Sequence, residues 1–232
     1  MAGDGVAARR CDVSSKAGKA TEPGPDRRAA LAQYRRRAGI YDLELALFEP
    51  IRRKAIAQLA LQPGDVVLDV GCGTGLSLEL LEQGIGPKGA IIGIEQSPEM
   101  IERARERVAQ GRWSNVTLVC SPAETARIPG RHADAVLFHF THDILRRPEA
   151  VAHVMRHLKP GARVVASGLK WAGGWTVGVN LLVLPAALHS VTSLAGLRAP
   201  WSGLAAFTGP LHVQTMLLGG VYVASARVAP HG

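Results

Sequence analysis

An almost wholly apolar run passes straight into three glycines at alternate positions, Val66-Val67-Leu68-Asp69-Val70-Gly71-Cys72-Gly73-Thr74-Gly75. A short, nearly continuous apolar run of this kind suits a strand buried on both faces of a parallel sheet. Glycines directly after it serve a turn in which the backbone approaches a partner closely or takes torsions that side chains resist. Strand, glycine turn and helix together put backbone N–H groups and a helix N-terminus at the carboxyl ends of the strands, where doubly wound sheets bind ligands.

The rest of the chain repeats the alternation. "TGLSLELLEQ" has helical spacing and ends near Gly84 and Gly86; "AIIGIE" reads as a second strand; "SPEMIERARERVAQG" reads as a helix with Ser97 as N-cap and Pro98 in its first turn. "VTLVCS" and "ADAVLFHF" are the third and fourth strands, "PEAVAHVMRHL" is a helix with "KPG" as its stop, and "ARVVASGL" is the fifth strand. Two helices broken at Pro50 precede the first strand, and "LHVQTMLL" and "VYVASARV", separated by Gly219 and Gly220, form a closing hairpin. The predicted fold is α/β, a Rossmann-like, doubly wound, seven-stranded sheet, mostly parallel with an antiparallel C-terminal hairpin strand.

At 232 residues, one domain with a tail is expected. Residues 1–37 hold nine Lys/Arg against four Asp/Glu and so supply +5 of the formal charge of +8. The arm is basic and poor in apolar residues, so residues 1–29 read as a disordered tail, and the modest charge left on the body argues against nucleic acid as partner. Cys11, Cys72 and Cys120 are odd in number and far apart, which indicates neither a disulfide framework nor a zinc cluster and suits a reducing, cytoplasmic setting. Residues 150–232 contain no carboxylate, so a carboxylate metal site cannot come from the last third, and no metal is expected.

Three cofactor classes fit the glycines alone: a nicotinamide dinucleotide, a nucleoside phosphate or a methyl donor. Glu95, twenty residues beyond Gly75 at the end of strand two, supports a nucleoside-containing cofactor, because a carboxylate there can accept from both ribose hydroxyls. The turn reads G-x-G-x-G, tighter than the G-x-G-x-x-G of dinucleotide folds. With Asp69 before it, this turn resembles the first motif of class I S-adenosylmethionine-dependent methyltransferases.

The resemblance runs from about Tyr41 to Val165. "IIGIEQSPEMIERARERV" is similar to the family's second motif, "CSPAETARIP" to its third, "DAVLFHFTHDIL" to its fourth, and "LKPGARVV" to its stop before strand five. It implies S-adenosylmethionine as cofactor, with Asp69 near the cationic methionine end and Gly71, Cys72, Gly73 and Gly75 forming the turn around it. Glu95 would accept from the ribose and Gln96 would lie beside the adenine, whose amine would meet Glu124, Ser121 or a backbone carbonyl; Ala123 and Phe138 are further cofactor-binding candidates, and Tyr41, in an N-terminal lid, would touch the donor's carboxylate or the acceptor, or pack. Relatives often carry Gly-Asp-Ala where this chain has Ser121-Pro122-Ala123-Glu124, and proline offers no side-chain acceptor to an adenine amine.

On the acceptor side, His139, His142 and Asp143 cluster just past strand four, where the resemblance places the methyl group; His142 is the first candidate for a general base. Lys170 and Trp171 follow strand five at the same edge, and Tyr34 lies in the lid helices; these three are candidates for substrate contact. The uncharged stretch Val177–Leu197, flanked by Trp175 and Trp201, reaches a membrane-spanning length, but Asn180, Pro185 and His189 dilute it. A buried helix or an apolar substrate cap fits it better, with membrane-surface contact as a lesser alternative. The expected organisation is a tail 1–29, lid helices 30–62, a cofactor core 63–170, an apolar cap 171–210 and a hairpin 211–229.

The implied activity is methyl transfer to oxygen or nitrogen of a small, largely apolar acceptor, aromatic ones included. "YDLELALFEPIRRKAI" and "GTGLSLELL" look loosely like the start of bacterial phospholipid and quinone methyltransferases, which keeps a phospholipid head group open as acceptor. A non-catalytic module binding the donor or S-adenosylhomocysteine is the alternative from another class.

Overall fold

The computed structural model describes residues 48–130, 132–173 and 196–230. The expected basic tail, Tyr34, Tyr41 and nearly all of the uncharged stretch 177–197 lie outside the described residues.

The described chain runs α1 (Glu49–Gln58), β1 (Val66–Val70), α2 (Leu78–Ile85), β2 (Ala90–Glu95), α3 (Pro98–Gly111), β3 (Val116–Cys120) and β4 (Ala133–His139). There follow a single turn α4 (His142–Leu145), α5 (Pro148–Met155), β5 (Leu158–Leu169), β6 (His212–Met216) and β7 (Val221–Arg227). The seven strands lie in the order β3-β2-β1-β4-β5-β7-β6; the first five are parallel, and β7 pairs antiparallel with both β5 and β6. This is the Rossmann-like sheet with an antiparallel C-terminal hairpin that the strand pattern predicts.

Local chemistry sets most boundaries. Pro50 sits in the first turn of α1, where its missing N–H costs nothing. Ser97 caps α3, its Oγ accepting from Met100 N at 3.3 Å, and Pro98 opens the helix behind it. Two expectations shift. The helix read from Thr74 begins at Leu78, because the glycine turn holds the chain out of helical geometry through Gly75 at φ +81°. "KPG" does not stop the chain before β5; it lies within β5 as a bulge. Leu158 pairs with Ala133 while Arg163 pairs with Ala135, and the extra residues loop out through Gly161 at φ +76°. Lys159 on that bulge reaches Asp134 at 2.5 Å.

The sheet is covered on both faces. Ile51 and Ala55 of α1, Leu59 directly after it, and Leu78, Leu81 and Ile85 of α2 pack on Val67, Leu137 and Val165. On the other face Ala150, Val151 and Val154 of α5, with Leu204, pack on Leu68, Val136, Phe138 and Val164. Because side chains alternate along a strand, registered neighbours share a face: Asp69 lies opposite Gly93 and Leu137, and His139 opposite Ser167. Glu95, Asp69, His139 and Ser167 therefore all project towards the α1 and α2 side, at the carboxyl edge of the sheet.

Leu137 is fully buried between β1 and β5 on that face. Leu137→Ala is expected to lower the unfolding free energy by about 2–5 kcal/mol, the range for leaving a cavity in a packed core. Urea titration checks it, and a loss under about 1 kcal/mol would show a loosely packed face.

Candidate functional site

The glycine turn is held by β2 on one side and by α4 on the other. Gly71 N and Cys72 N both donate to Ile94 O, at 2.7 and 3.0 Å. Gly71 has φ +72°, and a Cβ there would stand 2.4 Å from Thr141 Cγ2. A Cβ on Gly75 would lie 2.8 Å from Leu78 Cδ1. The turn thus needs glycine for both torsion and space. Cys72 is a free, buried thiol within it, raised in pKa by burial.

Glu95 clamps this turn. Its Oε2 accepts from Gly73 N at 3.2 Å and its Oε1 from Ser97 N at 2.8 Å. Burial pushes its pKa up, while these backbone donors pull it down. Each carboxylate oxygen has a further lone pair, so the clamp can still accept from a ligand hydroxyl.

Asp69 ends β1 beside the turn and is 2% exposed, with Oδ2 buried and unpartnered. Burial raises its pKa to about 7; the Arg52 guanidinium opposes the rise and the Glu95 carboxylate adds to it. A buried carboxyl oxygen with no partner is the kind of group a ligand satisfies.

Arg52 is the functional candidate that sequence reasoning missed. It is 4% exposed, pairs with Glu49 at 2.6 Å, donates from Nη1 to Leu76 O at 3.3 Å, and roofs a cleft lined also by Asp69, the turn, His139 and Phe140. The signal was present: Arg52, Ala55 and Ile56 of α1 and Leu59 just past it fall at i, i+3, i+4 and i+7, a buried stripe. A cation on such a stripe stands out, since buried arginines are rare unless paired.

His139 ends β4 in the cleft. Its Nδ1 lies 2.7 Å from Ser167 Oγ, and its Nε2 is buried and unpartnered. Burial lowers its pKa to about 3, with the Arg52 charge adding to the effect, so the ring is neutral at physiological pH. Phe140, at φ +55°, turns the chain sharply after it and packs on Phe48 with centroids 4.9 Å apart.

The other expected residues are distributed as follows. His142 and Asp143 form the first turn of α4; His142 is buried and neither lines the cleft. Phe138 is wholly buried on the α5 side of the sheet, so its side chain points away from the cleft. Ala123 is buried in the same layer, Gln96 is half-buried after β2, and Glu124 pairs with Arg147 at 3.1 Å. Lys170 spends its ammonium on carbonyls, donating to Trp171 O at 2.6 Å and Gly219 O at 3.1 Å, and burial lowers its pKa. Trp171 packs on the α1 side. Among the described residues no His/Cys/Asp/Glu group is arranged to hold a metal, and no helix is long and apolar enough to cross a membrane.

The chain is similar to known methyltransferases in sequence and in fold. Residues 67–161 match a family model described as a methyltransferase domain. The chain is 32% identical over 128 residues to an aklanonic acid methyltransferase of a Streptomyces species, covering 53% of this chain and 57% of that one. It is 34% identical over 121 residues to a demethylmenaquinone methyltransferase of Symbiobacterium thermophilum, covering 51% and 48%. It therefore spans about half the length of these curated relatives. Among solved structures, an O-methyltransferase family protein of Burkholderia thailandensis superposes with a TM-score of 0.68 at 14% identity, over 90% of this chain and 64% of that one, a likeness of fold.

Asp69 ionises near pH 3.8 when solvated and near 7 in the fold. Between these values the folded protein holds a proton that the unfolded chain has lost, so this group's contribution to stability is full below about pH 4 and is lost as the pH rises to 7. Asp69→Asn is expected to stabilise the protein by a few kcal/mol at pH 8, on the order set by three pKa units, and to change it little at pH 4. Denaturant titrations at both pH values check this; an equal effect at both would mean that Asp69 is not raised.

Proposed function

From a chain whose residues 67–161 form a methyltransferase domain and whose fold is that of the class I S-adenosylmethionine-dependent enzymes, we propose that the protein transfers a methyl group from S-adenosylmethionine to oxygen or nitrogen of a small, largely apolar acceptor. The observation that carries this is the row of Glu95, Asp69 and His139 along one edge above a glycine turn, with Asp69 Oδ2 buried and unpartnered. A nucleoside sulfonium with an amino-acid end suits that row. The relatives' names, which point to aklanonic acid and demethylmenaquinone, support a small-molecule acceptor.

When bound, S-adenosylmethionine supplies a methyl group on a cationic sulfur. Glu95 accepts from the ribose hydroxyls while still holding the Gly73 amide. Asp69 meets the amino-acid end from β1, and Arg52, the opposite charge across the same cleft, suits its carboxylate. Gln96 and Ala123 border the adenine side. With Arg52 over the cleft and Phe140 lining it, alignment of nucleophile, methyl and sulfur would supply most of the rate. His139 rather than His142 is the acceptor-side group, because His139 lines the cleft.

Calorimetric titration with S-adenosylmethionine, S-adenosylhomocysteine and NADH tests the reading. The two adenosyl compounds are expected to bind and NADH not; binding of NADH alone would overturn it. Glu95→Ala is expected to weaken donor binding by about 1–3 kcal/mol, the loss of hydrogen bonds to a charged group. Unchanged affinity would remove Glu95 from the site.

A further inference from the structure

Ser167 and His139 face each other across the β4–β5 ladder, and Ser167 is fully buried. Among the described residues the only hydrogen-bond partner of Ser167 Oγ is His139 Nδ1, at 2.7 Å. A hydroxyl has one proton to give, and here one atom can receive it. If Nδ1 carried the ring proton, it would donate to Oγ and leave the hydroxyl proton buried with no acceptor, an arrangement folded proteins avoid. If Ser167 donates to Nδ1, the ring proton sits on Nε2, and that N–H, buried in the cleft, is the one donor left for an incoming molecule to satisfy, whereas the other tautomer strands both the hydroxyl proton and the Nε2 lone pair. A doubly protonated ring would again leave the hydroxyl proton stranded, in a cleft that already holds the Arg52 cation. Among the described residues the other charged groups on this face are Asp69 from β1, Glu95 from β2, which is engaged with backbone amides, Glu49 from α1, which pairs with Arg52, and Arg163 at the far end of β5, which pairs with Asp65.

We propose that Ser167 is a positioning residue that fixes His139 as its Nε2–H tautomer, so that the cleft presents a hydrogen-bond donor to the acceptor molecule and selects an ionised hydroxyl oxygen, a phenolate or enolate, over an amine nitrogen. The choice of acceptor rests on the methyltransferase reading; the tautomer does not. An ionised oxygen uses its own lone pair to form the new O–CH3 bond while the S–C bond breaks with its electron pair left on sulfur, and no proton has to depart. An amine would emerge as a cation beside Arg52. Nε2–H stabilises the incoming oxygen in place, which a basic imidazole would not do.

Long-range 15N–1H spectra of the full chain labelled in histidine read the tautomer directly, with His139→Gln supplying the assignment. From pH 5.5 to 8 we expect Nδ1 bare and Nε2 protonated; a proton on Nδ1, or on both nitrogens, overturns the proposal whether or not any transfer is found. Ser167→Ala is expected to mix the tautomers and Ser167→Thr to restore one, whereas a purely structural serine would leave the ring unchanged in both variants. With a matched phenol and aniline as probes, transfer to the phenol is expected, and Ser167→Ala should raise its KM about three- to tenfold, the worth of a neutral hydrogen bond, without altering donor affinity. Transfer to the aniline at equal kcat/KM would overturn the acceptor choice, while failure of both probes with the Nε2–H tautomer confirmed would count against the methyl-transfer reading alone.

Discussion

Glu95 joins pieces of chain that would otherwise part at the carboxyl edge of the sheet. One oxygen holds the amide of Gly73 in the glycine turn, and the other holds Ser97, the cap of α3. Two backbone donors are what allow a carboxyl group to remain buried there. The turn from β1 and the helix from β2 are thereby fixed relative to each other, and any ligand lying along that edge meets a preset surface. Fixing the turn also fixes α4, since Gly71 admits Thr141 only because it lacks a side chain.

The same edge concentrates groups that a stable core would not choose. Asp69 is buried with an unpartnered oxygen, His139 with an unpartnered nitrogen, and Arg52 lies over both. Each is held by the packing of the element behind it: β1 between β2 and β4, β4 between β1 and β5, and α1 on Leu137 and Val165. Unsatisfied polar atoms in a well-packed frame store free energy that a complementary ligand can recover.

Their opposite signs also narrow the ligand. An acid poised near neutrality beside a permanent cation suits a group carrying both charges, and the neutral imidazole at the far end suits a polar atom without a proton to shed. The β6–β7 hairpin supports this end of the site through Lys170, whose ammonium ties the loop after β5 to Gly219. Lys170, a candidate substrate contact in the sequence, donates in the fold to carbonyls of its own chain.

The amino-acid sequence by itself determined the alternation of strands and helices, the glycine turn after β1, the cap at Ser97 and the acidic end of β2, since these follow from periodicity, torsional freedom and local hydrogen bonding over a few residues. It could not show that "KPG" becomes a bulge, because that depends on which residue of β4 lies opposite Leu158. It put His142 ahead of His139, and the two, three residues apart, differ in the fold in that His139 ends a strand facing the cleft while His142 begins a buried turn. Arg52 was legible as a cation on an apolar stripe, yet what it faces was not. Register between strands and the stacking of α1 on the sheet are set by contacts distant in sequence, and only the tertiary structure brings Arg52, Asp69, His139 and Ser167 to one edge.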